Sequence, residues 1–402
     1  ASDVYKRQVR DQTEKSNDTF EDYGLFTQVE QLNKTALKAH GLDKSGHLYK
    51  VNSFDFHRFE DTIKLTDDPD YNQTAFEGML EIKGDSDHTK LIEMLDALND
   101  ESQKIDDVLD TYFDTENLVY WLAFQILTGN CDTQNRNCYL YSPLNSKVWY
   151  ILDWDNDGML RKLELSLTGL SDYASWERGA SNYWGNVLFN RALRSKSFRS
   201  ELDSAVKDLR SYLTEERLSK MVEHYREVTE PLVFAAPDLD NLPVTKDEYE
   251  QIAAAIPSEI EENYTSYRES YKKPMPFYIG VPQIDNGKLR VNWDAAYDFD
   301  ARDIRYTVEL ARDYAISDVV FKAEDVLLPE VTCDAPDAGQ YFVRVRATNS
   351  DGYTQDAFDY YVTDDGKQYG MKCFYVQDGG KVVEDTYELS LIHISEPTRQ
   401  EA

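Results

Sequence analysis

Asp132 and Asn137 stand five positions apart in the stretch "NCDTQNRNCYLYSPLNSKVWYILDWDND", and Asp153, Asp155 and Asp157 follow at alternate positions. On a strand, residues two apart share a face. The spacing therefore predicts three carboxylates pointing one way, with Trp154 packed behind them. Like charges that close raise one another's pKa unless a cation neutralises them. Oxygen-rich sites of this kind suit Mg2+, Mn2+ or Ca2+. An aspartate able to take a hydroxyl proton, an asparagine that holds a metal and a further aspartate at a strand end together serve phosphoryl transfer.

The same acids satisfy a second pattern. "DWDNDGMLRKLE" fits the calcium loop D-x-D-x-D-G-x5-E, with Asp153, Asp155 and Asp157 as ligands, Gly158 at the turn and Glu164 closing the site. That loop needs an entering helix, whereas "KVWYIL" is β-branched and aromatic and reads as strand. It also leaves "NCDTQNRN" without a role, and no second loop completes the usual pair. Glu164 separates the readings: calcium needs it and phosphoryl transfer does not.

The elements around these residues follow from periodicity. "YGLFTQVEQL" reads as a strand running into a helix that Gly41 stops, and "GHLYKVNSFDF" as a short strand. "HTKLIEMLDALN" has helical spacing. "DTENLVYWLAFQILTG" is apolar on most faces and predicts a central helix that delivers the chain to Asn130 and Asp132. "NCYLYS" and "KVWYILDWD" predict a hairpin turning near Asn145-Ser146. Residues 185–270 read as helical, with Leu202, Ala205, Val206, Leu209 and Leu213 on one stripe. After the linker "KKPMPF", period-two alternation in "GKLRVNWDAA", "IRYTVELARD" and "AGQYFVRVRATNSDGY" predicts an all-β immunoglobulin-like sandwich. Trp121, Trp149 and Trp154 are expected in the core.

The chain has 402 residues, with 43 Lys plus Arg against 75 Asp plus Glu and a net charge of −32. That balance argues against nucleic acid and anionic lipid as partners. No apolar run is long enough for a membrane span. The 4 cysteines and 6 histidines show no zinc spacing, which argues against zinc chemistry and Cys/His nucleophiles. Cys131 and Cys138 are open to either a disulfide or two buried thiols. The ends, "ASDVYKRQVRD" and "LSLIHISEPTRQEA", join neither neighbouring pattern and are read as sequencing-adapter read-through on an N-terminally truncated fragment.

"YGLFTQVEQLNKTALKAHG", "GHLYK", "NCDTQNRNCYLY" and "KVWYILDWDND", in that order, resemble the CotH-type spore coat kinases, an atypical protein-kinase-like family. The resemblance implies an α+β, distant protein-kinase-like fold with a partial small lobe and a helical large lobe. It implies transfer of the ATP γ-phosphate to a serine or threonine hydroxyl of a protein, with Mg2+ or Mn2+. Carried over, Asp132 is the catalytic residue, Asn137 and Asp155 are metal ligands, Asp157 is a second acid at the metal and Asp153 has a lesser role. The family's phosphate-gripping lysine lies upstream of "YGLF", where this chain offers no counterpart. Activity is therefore expected of a full-length parent, with this fragment weak or inactive. Lys50 is the candidate for nucleotide contact, against a solvated role, and Glu30 for the adenine side, against a hinge role.

The expected domains are a kinase-like part over 12–271, a sandwich resembling a fibronectin type III module over 278–365, and a truncated tail over 366–402. Family and module together imply an extracellular or cell-surface location, with contact to cell-wall or extracellular polymer through the C-terminal module. The alternative is a calcium-binding or surface-interaction protein without catalysis.

Overall fold

The computed structural model describes residues 2–10, 19–169, 174–363 and 366–385. It is a mixed α+β protein with several sheets. It divides into two compact units, Ala1–Ser171 with Asn186–Thr265 and Asp172–Gly185 with Ser266–Ala402. Among the described residues no helix is long and apolar enough to cross a membrane.

The first unit opens with β1 (Ser2–Arg10) antiparallel to β2 (Phe20–Val29). The opening residues, set aside on sequence grounds, thus form a strand; "VYKRQV" lacks Gly and Pro and pairs readily. α1 (Lys34–Ala39) begins where the Asn33 side chain accepts the amides of Thr35 and Ala36. It ends just before Gly41, whose φ of 75° suits glycine. There follow β3 (His47–Val51), α2 (Gln73–Met79), β4 (Leu80–Ile82), α3 (Thr89–Asn99), α4 (Ile105–Tyr112) and α5 (Thr115–Thr128). β5 (Cys138–Ser142), β6 (Tyr150–Asp153), α6 (Lys162–Leu167), α7 (Val187–Arg194), α8 (Lys196–Tyr212), α9 (Glu215–Val233) and α10 (Lys246–Ser270) complete it.

β3 to β6 form a four-stranded sheet in the order β4-β3-β5-β6. α5 is buried along Leu118, Leu122, Ala123, Ile126 and Leu127 and packs on α8 and β6, the central position its apolar faces predict. Trp149 and Trp121 are buried, whereas Trp154 is only half-buried.

In the second unit, β9 (Ile304–Ala311), β10 (Val319–Val326), β12 (Gly339–Asn349), β13 (Thr354–Asp356), β16 (Met371–Val376) and β17 (Val382–Glu384) form a six-stranded sheet. β7 (Gln283–Asp285), β8 (Lys288–Asn292) and β11 (Glu330–Asp334) form a three-stranded one, and β14 (Tyr360–Thr363) pairs β15 (Gly366–Tyr369). Leu289 and Val291, Tyr306 and Val308, Val343 and Val345, and Phe374 share one apolar core. Their period-two spacing puts them on inward faces. Residues 366–385, set apart from the sandwich on sequence grounds, supply β15, β16 and β17, and β16 pairs directly with β12. The closing segment "LSLIHISEPTRQEA" lies outside the described residues.

Candidate functional site

The site grows from the end of α5. Gly129 stops that helix in the left-handed region at φ 67°, and a Cβ there would stand 2.7 Å from the Asn263 side chain. The chain then turns through a short 3-10 segment, Cys131–Thr133, capped by Asn130, whose Oδ1 accepts the Asp132 amide at 3.4 Å. Asn137, itself left-handed at φ 58°, donates from Nδ2 to Asp132 Oδ2 at 2.9 Å. Arg136 Nε lies 3.3 Å from Asp132 Oδ1. One carboxylate is thereby oriented through both oxygens.

The second part hangs on the β5–β6 pair. Their register sets Lys50, Tyr139 and Leu152 across from one another, and Val51, Cys138 and Asp153 in the next row. Lys50, Tyr139 and Leu152 therefore share a face. Lys50 Nζ lies 5.8 Å from the Trp154 ring centroid on that face. The ladder ends at Asp153. Asp155 turns left-handed at φ 57°, and Asp157 falls inside the 3-10 turn Asn156–Gly158. The three aspartates thus do not line one strand face, because strand geometry stops at the first of them. Asp155 and Asp157 belong to a loop.

That loop is tied to the first. Leu160 N donates to Thr128 O at 2.8 Å, satisfying an end carbonyl of α5. Asn130 Nδ2 reaches Asn156 Oδ1 at 3.5 Å, and Asn156 Nδ2 donates to Asp153 Oδ2 at 3.1 Å. Gln125 Nε2 holds the other Asp153 oxygen at 2.7 Å. A Cβ on Gly158 would fall 2.6 Å from Asn130 Oδ1 and 3.8 Å from the Asp132 Cβ, so the two loops touch there. Asp153 is open to solvent along one side, yet the protein crowding its carboxyl raises its pKa by desolvation. Cys138 behind it is buried, and burial pushes its thiol up.

Glu30 follows β2, and its carboxylate accepts from His40 Nε2 at 2.7 Å, which holds its pKa down. Glu164 does not reach back to the aspartates. It forms a two-point pair with Arg161, 2.9 Å from Nε and 2.8 Å from Nη2. All four cysteines are free thiols, so Cys131 and Cys138 are not bridged.

A family model described as "CotH kinase protein" matches residues 4–267. The chain belongs to that family. No curated protein matches it. Among solved structures, the twitchin kinase region from C. elegans aligns at 19% identity over 24% of this chain and 20% of that one, with a TM-score of 0.18. A likeness that slight carries no structural argument.

For this CotH family member, membership supports a kinase-like function in general. Among the described residues no group of three or more His, Cys, Asp or Glu side chains is placed to hold a metal. Mg2+ asks for less: one or two carboxylates, with water and phosphate oxygens filling the octahedron. Carboxylate and side-chain carbonyl oxygens, the donors that Asp155 and Asn137 carry, are of that hard kind. Arg136, Asn130, Asn156 and Gln125 were missed on sequence grounds. Arg136 was within reach, since it is the only cation between Asn130 and Ser146. The amides carry no sequence signal of their own.

Proposed function

We propose that the chain's parent transfers the γ-phosphate of ATP to a serine or threonine hydroxyl of a protein. On this reading the first unit is a distant protein-kinase-like fold, spanning the part expected over 12–271. Its sheet side is a partial small lobe, and its helices form the large lobe. The observation that carries the reading is the Asn137–Asp132 hydrogen bond at 2.9 Å, in a loop that touches the one bearing Asp155. Asp132 accepts the proton of the incoming hydroxyl, and Asn137 and Arg136 fix the direction of its lone pairs. Asp155 and Asn137 would hold Mg2+ or Mn2+, with Asp157 as a further acid. When bound, the ion offsets the charge that spreads over the phosphoryl oxygens. Lys50, whose Nζ lies 5.8 Å from the Trp154 ring centroid, is the candidate for contact with the nucleotide. Glu30, engaged with His40, is the weaker of the nucleotide candidates.

The calcium alternative has less support. A strand enters the loop, and the acid at its closing position is held by Arg161. The second unit fits an immunoglobulin-like sandwich resembling a fibronectin type III module, whose role would be spacing or adhesion at an extracellular or cell-surface location.

The test measures ATP-dependent labelling of a serine-rich protein, together with Mn2+ affinity, in the full-length protein. Asp132→Asn should cut turnover roughly a thousandfold and spare metal binding. Asp155→Asn should abolish both. Transfer that survives both substitutions rules the reading out.

A further inference from the structure

The edge of β6 carries a groove that this chemistry does not use. It is a cleft of about 460 Å3 between α1, α5 and β6. Leu32, Ala36, Leu37, Phe124 and Ile151 give it an apolar lining, and Asp153 opens onto it. Its rim is acidic. Tyr120, in the wall, donates to exposed Asp208 at 2.9 Å. Exposed Glu116 lies one helical turn before Tyr120, close enough to help raise its pKa behind the larger effect of Asp208. His40, also in the wall, is paired with Glu30. The lysines of α1 turn away: Lys34 and Lys38 line a separate polar hollow with Lys44.

We propose that this groove docks a basic, amphipathic segment of the acceptor polypeptide. Aliphatic side chains would fill the apolar floor, and lysine or arginine would meet Asp208 and Glu116. Charge selects the occupant. A nucleotide or an anionic lipid is repelled by that rim, and a second copy of this chain brings the same net charge of −32. Position gives the docking a purpose. Asp153 opens onto the groove two residues before Asp155, so a few extended residues at about 3.4 Å each carry a flanking serine to the reacting loop. Naming the partner as the acceptor rests on the proposed phosphotransfer; the fit of a basic segment does not.

The experiment uses the whole chain without ATP or metal. It reads the anisotropy of a labelled Lys/Leu peptide bearing one terminal serine, beside versions with Lys→Glu and Leu→Ser. The Lys/Leu peptide should bind, more weakly as salt rises, and both control peptides should fail. The double variant Glu116→Lys/Asp208→Lys should weaken binding about tenfold. Ala36→Phe should block it by filling the floor. If Ala36→Phe does not fold, the surface double variant decides alone. Equal binding of the Glu peptide, unchanged affinity in the double variant, or a peptide-blocking dimer in sedimentation overturns the proposal. Transfer to a serine substrate without any Lys/Leu binding sinks the groove and leaves the phosphotransfer standing. Binding without transfer in the full-length protein does the reverse.

Discussion

Asp153 in the first unit and Asp359 in the second are both carboxylates whose pKa is raised by desolvation, yet they are answered differently. Asp359 faces a cation: Lys372 Nζ lies 3.0 Å away and Ile279 N donates at 2.7 Å. Lys372 is held in turn by Glu384 at 2.8 Å. This is a closed brace, with each charge neutralised where it stands. Asp153 receives neutral amides instead, from Gln125 and Asn156, and Asn156 passes the contact on to Asn130. A carboxylate closed by a lysine fixes a fold. One held by neutral donors orients a loop and leaves charge available.

The sharpest way to break the comparison is to remove the brace's cation. Lys372→Met leaves a desolvated carboxylate with backbone donors alone, and should destabilise the second unit by roughly 3–5 kcal/mol. Adding Asp359→Asn should recover part of that loss. Denaturant unfolding with amide exchange resolved by unit checks both, and an unaltered second unit would show that Asp359 is no brace.

Next in size is an acid sensitivity confined to the first unit. His88 is fully buried, stacked on Phe76 at 4.0 Å, and bonded through Nδ1 to the Tyr49 hydroxyl at 2.9 Å and through Nε2 to that of Tyr71 at 3.2 Å. Desolvation depresses its pKa to about 4. Between its ordinary value near 6.5 and about 4, the unfolded chain binds a proton that the folded chain refuses. Stability is therefore complete above that window and falls as pH drops through it, by roughly 3 kcal/mol. His88→Gln should flatten the slope. A residue of it should remain, because burial also lowers His47. An unchanged slope in stability against pH would remove His88 from the account.

The smaller effects sharpen the role of the amide-held aspartate. Gly158→Ala drives a methyl against Asn130 and should lower turnover by roughly a hundredfold, with the melting temperature nearly unchanged. Asn156→Ala only frees the link between the loops, and roughly tenfold is expected. Equal turnover in all three proteins would mean that the contact between the loops is incidental.

Local pattern made much of this legible. The aromatic and β-branched content of "CYLYS" and "VWYILD" marked β5 and β6, and the apolar faces of "LVYWLAFQIL" marked α5 as central. Asp132, Asn137 and Asp155 stood out because their residue types and spacing suit one chemistry. What misled was the assumption that the strand ran on through Asp157. Whether a strand continues depends on a partner, and the β5 ladder stops opposite Asp153 at Cys138. The pairing of β1 with β2 and the place of β16 beside β12 were hidden for the same reason, since pairing is a property of two segments.

The amino-acid order by itself marked many of the elements, the sign of the net charge and a short list of candidate residues for a metal-bound phosphate. Those follow from side-chain chemistry and periods of two and 3.6, which are local. Only the tertiary structure decided that Asn130 would meet Asn156, that a side chain at Gly158 would press on Asn130, that Asp153 would be held by neutral donors and Asp359 by a lysine, and that an acid-rimmed groove would open beside β6. Each of these joins residues distant in the chain, and such contacts form only once burial has repaid the entropy of bringing them together.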